Sequence, residues 1–255
     1  AYCVKVADDL FICKDSTEVI WQTIEGLSIK EDPKYRYSDL GFYLLMKVIQ
    51  EISGKTLDQF VNDEFYEPMG LKSISFNPRD KFPAERIPPT ENDTIFRKQE
   101  VQGYVHDPGA AMLGGVCGHA GLFSNAHDIA AIFQMLIDDG FYNGKRFLKE
   151  ETISYFNTAH YNEKDNRRGL GFDKPAEIDE KTGERGAGPS SKLANDFCFG
   201  HTGFTGTCVW ADPETKLIYV FLSNRTFPNA YSKNILAQEN IRTDIHTITY
   251  KAIQD

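Results

Sequence analysis

The sequence has no long apolar run, no excess of positive charge and no visible signal peptide. Its longest apolar stretches, Phe42–Met46 and Leu217–Leu222, are far shorter than the roughly 18–20 residues that a membrane-spanning helix needs. Lys and Arg number 28 against 37 Asp and Glu, which gives a formal net charge of −9. Most of this surface would repel a phosphate backbone, so we predict no nucleic-acid partner. The short apolar stretches predict no membrane span.

Paired cysteine motifs are also missing. The chain has five cysteines, none of them in a CxxC pair, and an odd number gives no closed disulfide framework. Cys198 and His201 form a single CxxH with no second pair at zinc-finger spacing, so we predict no structural metal and no cofactor. The pattern is typical of thiols scattered through a hydrophobic core.

Helical patterns dominate the first part of the chain. Apolar residues recur every three to four positions over residues 39–53, and Gly54 follows as a stop signal. Thr56 and Gln59 form a capping box that opens a second helix. Four prolines make residues 71–105 resemble an irregular excursion over the surface. A Gly/Ala-rich stretch, residues 106–121, suits close packing of backbone against backbone or ligand.

The second part combines helices, a long loop and a hairpin. Ser124 or Asn125 can cap a helix that ends at Gly140, and residues 149–156 form another short helix. Residues 173–197 are polar and predict a long loop. The remaining predictions are strands over 198–210 and 216–223 and a terminal helix that buries Ile241, Ile245, Ile248 and Ala252.

This order of elements predicts an α+β fold, with an antiparallel sheet flanked by helices and a separate helical region. We interpret residues 1–255 as a single domain, in which residues 1–160 are mainly helical and residues 161–255 hold the hairpin and terminal helix.

Two short motifs contain residue types suited to catalysis. Tyr37-Ser38-Asp39 stands at the predicted start of the first helix, where the helix dipole lowers the cost of a phenolate, so Tyr37 is a candidate general base. A packed, hydrogen-bonded aromatic is the simpler role for any single tyrosine. His201-Thr202-Gly203, followed by Phe204, places a titratable ring beside a hydroxyl and a glycine that lets a substrate approach backbone N–H groups.

Taken together, these motifs resemble two signatures of the serine β-lactamase and penicillin-binding-protein superfamily, which includes D-Ala-D-Ala carboxypeptidases and class C-like esterases. Tyr37–Asp39 resembles its Tyr-x-Asn element, and His201–Gly203 resembles its Lys-Thr-Gly or His-Thr-Gly strand. Phe65–Leu71 is similar to the family's PLGM stretch, and Gly118–Ser124 to its GGL-S stretch. The likeness runs from about Tyr35 to the terminal helix. The segment also resembles the β-lactamase-like module that follows a family-three β-N-acetylhexosaminidase in Bacteroidetes-type proteins.

The resemblance implies a role for each matching residue. Tyr37 would be the general base or proton shuttle, and His201 would support it electrostatically and bind the substrate carboxylate. Asp39 stands where the family usually has Asn, and an ionised carboxylate accepts hydrogen bonds but cannot donate them. Thr202 and Gly203 would line the strand edge that meets the substrate. The N–H of Phe204 would supply half of the oxyanion hole.

The family's nucleophile motif, Ser-x-x-Lys, is missing: no lysine has a serine three positions earlier. We therefore expect the chain to lack the nucleophile helix and the first strands of the sheet, and to be inactive alone, because no acyl-enzyme forms without that serine. An unpaired sheet edge would then favour association with another copy or with the missing segment.

Several alternatives remain from the residues alone. His106, Asp107 and His119 could ligate a catalytic metal, and Cys117 with His119 could form a thiol nucleophile site. Packing and satisfied loop polar groups are the simpler roles for both sets. A non-catalytic binding or structural module attached to a glycoside hydrolase is the main alternative to a serine hydrolase. Arg167 and Arg168 are a candidate pair for attracting a carboxylate, and a surface pair is the simpler interpretation. The resemblance implies a small-molecule or peptide substrate, peptidoglycan-like or ester, and a periplasmic or extracytoplasmic location.

Overall fold

Helices and short antiparallel strands alternate along the chain. The computed structural model describes residues 3–13, 15–28, 35–162 and 166–254. They form two units: Ala1–Ser124 with Thr226–Tyr231, and Asn125–Arg225 with Ser232–Asp255. Helices and antiparallel sheets occur together, which confirms the predicted α+β class. None of the helices in the described ranges combines the length and apolar character needed to traverse a bilayer. The single-domain organisation stays a prediction.

Within its described residues, the first unit holds two hairpins and four α-helices. These elements are β1 (Cys3–Ala7), β2 (Leu10–Cys13), α1 (Asp15–Glu25), α2 (Leu40–Ser53), α3 (Leu57–Val61), a π-helical turn (Asn62–Tyr66), two 3-10 turns (Pro78–Asp80 and Ala84–Arg86), β3 (Pro89–Asp93), β4 (Gln99–Gln102) and α4 (Pro108–Met112). Strand β1 pairs with β2, and β3 with β4, both antiparallel. Val6, Tyr43, Met46 and Leu57 are among the residues of its apolar core.

Helix α2 confirms the helix predicted over residues 39–53. Gly54 ends it in a left-handed conformation, at φ +67°, which glycine adopts without steric cost. The capping box of Thr56 and Gln59 is present at the start of α3. Tyr43 and Met46 are buried, whereas Leu44 is 45% and Ile52 is 82% exposed. The apolar residues of α2 are therefore divided between the core and the surface.

The segment predicted as an irregular excursion contains the β3–β4 hairpin and a buried ion network. Arg97, 3% exposed, donates to Asp93 at 2.8 Å and to Glu91 at 2.7 Å, and also to the carbonyls of Val105 and His106. Burial opposes the charge on Asp93, but Arg97 and three backbone N–H groups lower the pKa of Asp93 to about 2. The prediction of an irregular surface excursion was wrong for this hairpin. The sequence alone does not show that Arg97 is buried with Glu91 and Asp93 as its partners.

The second unit holds a three-stranded sheet and the terminal helix. Its elements are α5 (Ala126–Ile137), β5 (Phe141–Tyr142), β6 (Lys145–Arg146), α6 (Glu150–Asn157), β7 (Phe199–Thr202), β8 (Cys208–Asp212), β9 (Leu217–Phe221), α7 (Ile235–Gln238) and α8 (Ile241–Gln254). Asn125 caps α5, as predicted, by accepting from the N–H of Asp128 at 2.8 Å. The sheet order is β7–β8–β9, so the predicted strand over 198–210 is in fact two strands joined by a turn.

Helix α8 packs through polar aromatic residues rather than through its isoleucines. His246 and Tyr250 are each 1% exposed, whereas Ile248 is 63% exposed. The His246 ring stacks on Tyr219 with centroids 4.5 Å apart, and the Tyr250 hydroxyl donates to Asp212 at 2.7 Å. The predicted buried face was wrong because these partners satisfy the polar atoms of His246 and Tyr250.

The prediction that the cysteines lie in the hydrophobic core is correct for three of the five and wrong for the other two. Cys117, Cys198 and Cys208 are buried, but Cys3 and Cys13 are exposed. Burial raises the pKa of Cys198 to about 12 and that of Cys208 to about 11, so both stay protonated thiols at neutral pH.

Candidate active site

The tyrosine element, Tyr37–Asp39, lies in the first unit directly before α2. Asp39 is the N-cap residue by position, and the Ser38 hydroxyl accepts the N–H of Leu40 at 3.2 Å. Tyr37 is 51% exposed. Tyr37 therefore precedes the N-terminus of a helix and has a half-exposed side chain, and its role as a general base stays a prediction.

The first turn of α2 rests on the Gly/Ala-rich segment. A side chain at Gly118 would collide with the carbonyl of Phe42, and one at Gly109 with the Tyr43 hydroxyl. The Tyr43 ring stacks on His119, with centroids 4.4 Å apart. Two glycines and one histidine thus fix the helix that begins three residues after Tyr37.

His119 is in turn held by a carboxylate. Its Nε2 lies 3.0 Å from Oδ1 of Asp107, which also caps α4 by accepting the N–H of Ala110 at 2.7 Å. Burial disfavours the imidazolium, but the Asp107 carboxylate and the neighbouring Cys117 thiol raise the pKa of His119 to about 10. Burial raises and these hydrogen bonds lower the pKa of Asp107, with a net decrease. Burial and the Asp107 charge raise the pKa of Tyr43, which keeps this phenol neutral, unlike a general base.

These contacts bear on the two alternative sites, the catalytic metal site and the thiol nucleophile site. His106 lies beside Glu91, with 3.4 Å between Nε2 and Oε2, while His119 belongs to Asp107. Across the ranges that the structure describes, no three His, Cys, Asp or Glu side chains form a metal-binding group. Cys117 is 2% exposed within the first core, so a substrate could not reach its sulfur.

The histidine strand, His201–Phe204, lies in the second unit at the end of β7. The Nδ1 of His201 lies 2.8 Å from the carbonyl of Thr202, and its Nε2 lies 2.8 Å from Nη1 of Arg168. A carbonyl only accepts and a guanidinium only donates, so His201 is the neutral tautomer that carries its proton on Nδ1.

Arg168 brings a cation to the histidine strand. It donates through Nη2 to Asp173 at 2.9 Å, and Arg167 binds the other oxygen of the same carboxylate at 2.8 Å. The Asp173 side chain is only 3% exposed. Two guanidinium groups therefore share one carboxylate, and the cluster has one net positive charge next to His201.

A tight turn follows the histidine strand. Gly203 donates to the carbonyl of Thr207 at 2.7 Å, and a side chain at Gly203 would collide with that threonine. Arg242 of α8 donates to the Thr207 carbonyl at 3.1 Å and fixes the turn from below. Phe204 is 63% exposed, and its ring lies against the Arg225 guanidinium, 4.3 Å from centroid to carbon.

Similarity to known proteins identifies the family of this chain. The Beta-lactamase family model matches residues 8–240, which include both motifs. This chain belongs to the Beta-lactamase family. A “Putative D-alanyl-D-alanine carboxypeptidase” of Escherichia coli (strain K12) is 34% identical over 212 residues, covering 78% of this chain and 47% of that protein. One of the same description from Salmonella enteritidis PT4 is 34% identical over 233 residues, covering 86% and 52%. The chain thus spans about half the length of these relatives.

Solved structures of the Beta-lactamase fold also match. Simvastatin synthase from Aspergillus terreus aligns with a TM-score of 0.59 at 14% identity, covering 95% of this chain and 61% of that one. A penicillin-binding protein homolog from Caulobacter crescentus aligns with a TM-score of 0.55 at 16% identity, covering 83% and 59%. At such low identities these matches establish the fold alone, and they confirm the predicted β-lactamase/transpeptidase-like class.

Both motifs are visible in the sequence of this Beta-lactamase family chain, whereas the contacts of Arg168 are not. Tyr37 and Asp39 lie in the first unit, and His201 to Phe204 in the second. Their catalytic roles stay predictions. Arg168 was interpreted as one of a surface pair, because its contacts form only when Asp173 folds back against β7, where Asp173 bridges to Gly200. A doublet of arginines five residues before a buried aspartate was the available signal.

Proposed function

We propose that this chain is part of a serine acyl-transfer enzyme that cleaves peptide or ester carbonyls near a carboxylate, as D-Ala-D-Ala carboxypeptidases do. The nucleophile would come from residues outside these 255, since the sequence has no Ser-x-x-Lys. The D-alanyl-D-alanine carboxypeptidase description of relatives that share 34% identity supports the peptide class. Such substrates would place the enzyme outside the cytoplasm.

The positive cluster beside His201 is the observation that carries this proposal. The chain has a net charge of −9, yet Arg167 and Arg168 outnumber their shared partner Asp173 at the histidine strand. A terminal carboxylate of a peptide would find its cation there. Because the Nε2 of His201 already accepts from Arg168, we assign the carboxylate to the guanidinium and give neutral His201 the role of holding it.

The remaining roles follow from the chemistry of each group. Tyr37 would take the proton of the attacking hydroxyl as a phenolate that the N-terminus of α2 stabilises. Asp39 accepts hydrogen bonds only, so it would favour a substrate that presents an N–H group. Backbone N–H groups at Phe204 and at the nucleophile would receive the developing oxyanion. The tetrahedral intermediate would collapse to an acyl-enzyme as the scissile bond breaks and the leaving amine or alcohol takes the proton from Tyr37. Water would then hydrolyse the acyl-enzyme, which releases the acid and restores the serine.

Covalent labelling tests the enzyme class. We would treat this chain, and the same chain extended upstream, with a fluorophosphonate and with benzylpenicillin, and measure intact mass. An adduct on the longer chain alone is expected. An adduct on the 255-residue chain would reveal a nucleophile that the motifs do not show, and no adduct on either would contradict acyl transfer.

A charge-matched pair of variants tests the carboxylate site. R168Q should slow penicillin acylation of the longer chain about tenfold, the loss of one charge-assisted hydrogen bond. R185Q is the control, because it removes the same charge from the same unit where Arg185 pairs with Asp196. Equal effects of both variants would show that only overall charge matters and would remove Arg168 from the site.

The absence of Ser-x-x-Lys favours one alternative, a non-catalytic binding module attached to a glycoside hydrolase that acts on cell-wall or amino-sugar substrates. This alternative predicts saturable binding of an N-acetylated D-Ala-D-Ala peptide to the longer chain with no product and no covalent adduct.

A further inference from the structure

We propose that Cys3 and Cys13 are a redox-active pair. They form an intramolecular disulfide by thiol–disulfide exchange with a small disulfide such as glutathione disulfide. Cys3 is the first residue of β1 and Cys13 the last residue of β2, and the two face each other directly in the antiparallel register. A bond between them would close the open end of the β1–β2 hairpin.

The spacing of opposed residues suits a disulfide. In an antiparallel pair, opposed Cα atoms lie about 4.5–5.5 Å apart and their side chains emerge on the same face. A disulfide needs Cα atoms about 4.4–6.8 Å apart. Closure therefore needs no shift in register. The irregularity in this pairing falls between Lys5 and Ala7, away from the open end.

Exposure separates this pair from the other cysteines. Along β1 and β2 the solvent face holds Cys3, Lys5, Phe11 and Cys13, whereas Val4 and Ile12 pack against the core. Both sulfurs are thus on the face that an oxidant in solution reaches. Cys117, Cys198 and Cys208 are buried, and the raised thiol pKa values of Cys198 and Cys208 keep them unreactive.

The chemistry balances without any group beyond the oxidant. One cysteine thiolate attacks glutathione disulfide and releases one glutathione thiolate, which leaves a mixed disulfide on the protein. The second cysteine then attacks the protein sulfur of that mixed disulfide and displaces the second glutathione. Two electrons pass from the cysteine pair to glutathione disulfide, and the protons of the two cysteines end on two glutathione thiols.

Intact mass and peptide mapping of the dilute, folded 255-residue chain test this pair after treatment with glutathione disulfide. We expect a product lighter by two hydrogen atoms, with residues 3 and 13 linked and Cys117, Cys198 and Cys208 unmodified. Stable glutathione adducts on both exposed cysteines, or disulfide-linked dimers as the main product, would overturn the proposal.

Two comparisons exclude closure by proximity in the sequence alone. The double variant F11C/C13S keeps two exposed cysteines on the same face but moves one to a diagonal position, roughly 7–8 Å from Cys3 between Cα atoms. It should retain glutathione adducts where the native pair closes. Native protein should also close about tenfold faster than protein unfolded in urea, because the fold already holds the two cysteines at disulfide spacing. Equal closure in the variant, or equal rates in urea, would show that the strand register contributes nothing.

Discussion

His119 in the first unit and His246 in the second are both buried and both stacked on a tyrosine, yet their charges differ. The ring centroids lie 4.4 Å from Tyr43 for His119 and 4.5 Å from Tyr219 for His246. The Nε2 of His119 meets the Asp107 carboxylate, whereas the Nδ1 of His246 accepts the backbone N–H of Ser191 at 3.1 Å.

Their pKa values move in opposite directions as a result. Burial lowers the pKa of His246 to about 4, and the charge of Asp212 only partly offsets it. Burial also opposes the charge of His119, but Asp107 and Cys117 raise its pKa to about 10. The hydrogen-bond partner therefore decides the charge of each histidine, because burial opposes the charge of both rings and only His119 has a carboxylate bonded to it.

The largest expected effect is an acid-side loss of stability in the second unit. Between pH 6.5 and about 4 the unfolded chain binds a proton at position 246 and the folded chain does not. The free energy of unfolding therefore falls as the pH drops through this window and is fully present above it, a loss of about 3 kcal/mol. Amide hydrogen exchange of α8 at several pH values would measure it separately from the first unit.

The control is H246F, which keeps an aromatic ring against Tyr219 but cannot take up a proton. This variant should lose stability at neutral pH, since the Ser191 N–H loses its acceptor, and should show no pH dependence between 6.5 and 4 from this position. An unchanged slope in H246F would mean that another group titrates and that His246 is not the acid-sensitive residue.

The second expected effect comes from removing the carboxylate that distinguishes His119. D107N keeps the N-cap of α4, because Asn caps helices as well as Asp, but has no charge. His119 should then titrate below its ordinary value, as His246 does, and the first unit should lose about 2 kcal/mol at pH 7, the usual contribution of a charged hydrogen bond. NMR titration of the His119 ring and urea unfolding would measure both.

The sign of this pH dependence is opposite to that of the second unit. The raised pKa of His119 contributes stability that is fully present below pH 6.5 and is lost as the pH rises through about 10. C117A is the companion variant, because it removes the neighbouring thiol and leaves the Asp107 bond intact. A larger fall of the His119 pKa in C117A than in D107N would show that the thiol, and not the carboxylate, makes the difference.

The sequence was sufficient for local features that one or two residues determine. The limits of α2 follow from Gly54, the start of α3 from Thr56 and Gln59, and the start of α5 from Asn125, because caps and left-handed glycines act within a single turn. The positions of Tyr37 and His201 follow from motifs in the same way. The α+β class follows from the order of elements.

Features that depend on a distant partner could not be predicted. Periodicity placed the isoleucines of α8 in the core, but His246 and Tyr250 occupy it because Ser191 and Asp212 satisfy their polar atoms. Arg168 contacts Asp173 and His201. Helical and strand periodicity does not relate it to either residue, so the sequence pattern could not show these contacts. Polar networks of this kind join residues that only the folded chain brings together.

The smallest expected effect supplies a common scale for the two units. T56A removes the capping box of α3 in the first unit, and N125A removes the side-chain cap of α5 in the second. Each should cost about 1 kcal/mol at every pH from 4 to 10, since neither cap titrates. Amide exchange would show each loss confined to its own unit. The opposite outcome is a cap deletion whose cost in unfolding free energy changes with pH as the two histidines predict. The pH dependence assigned to His119 and His246 would then be a property of each folded unit as a whole. The contrast between the two rings would no longer explain it.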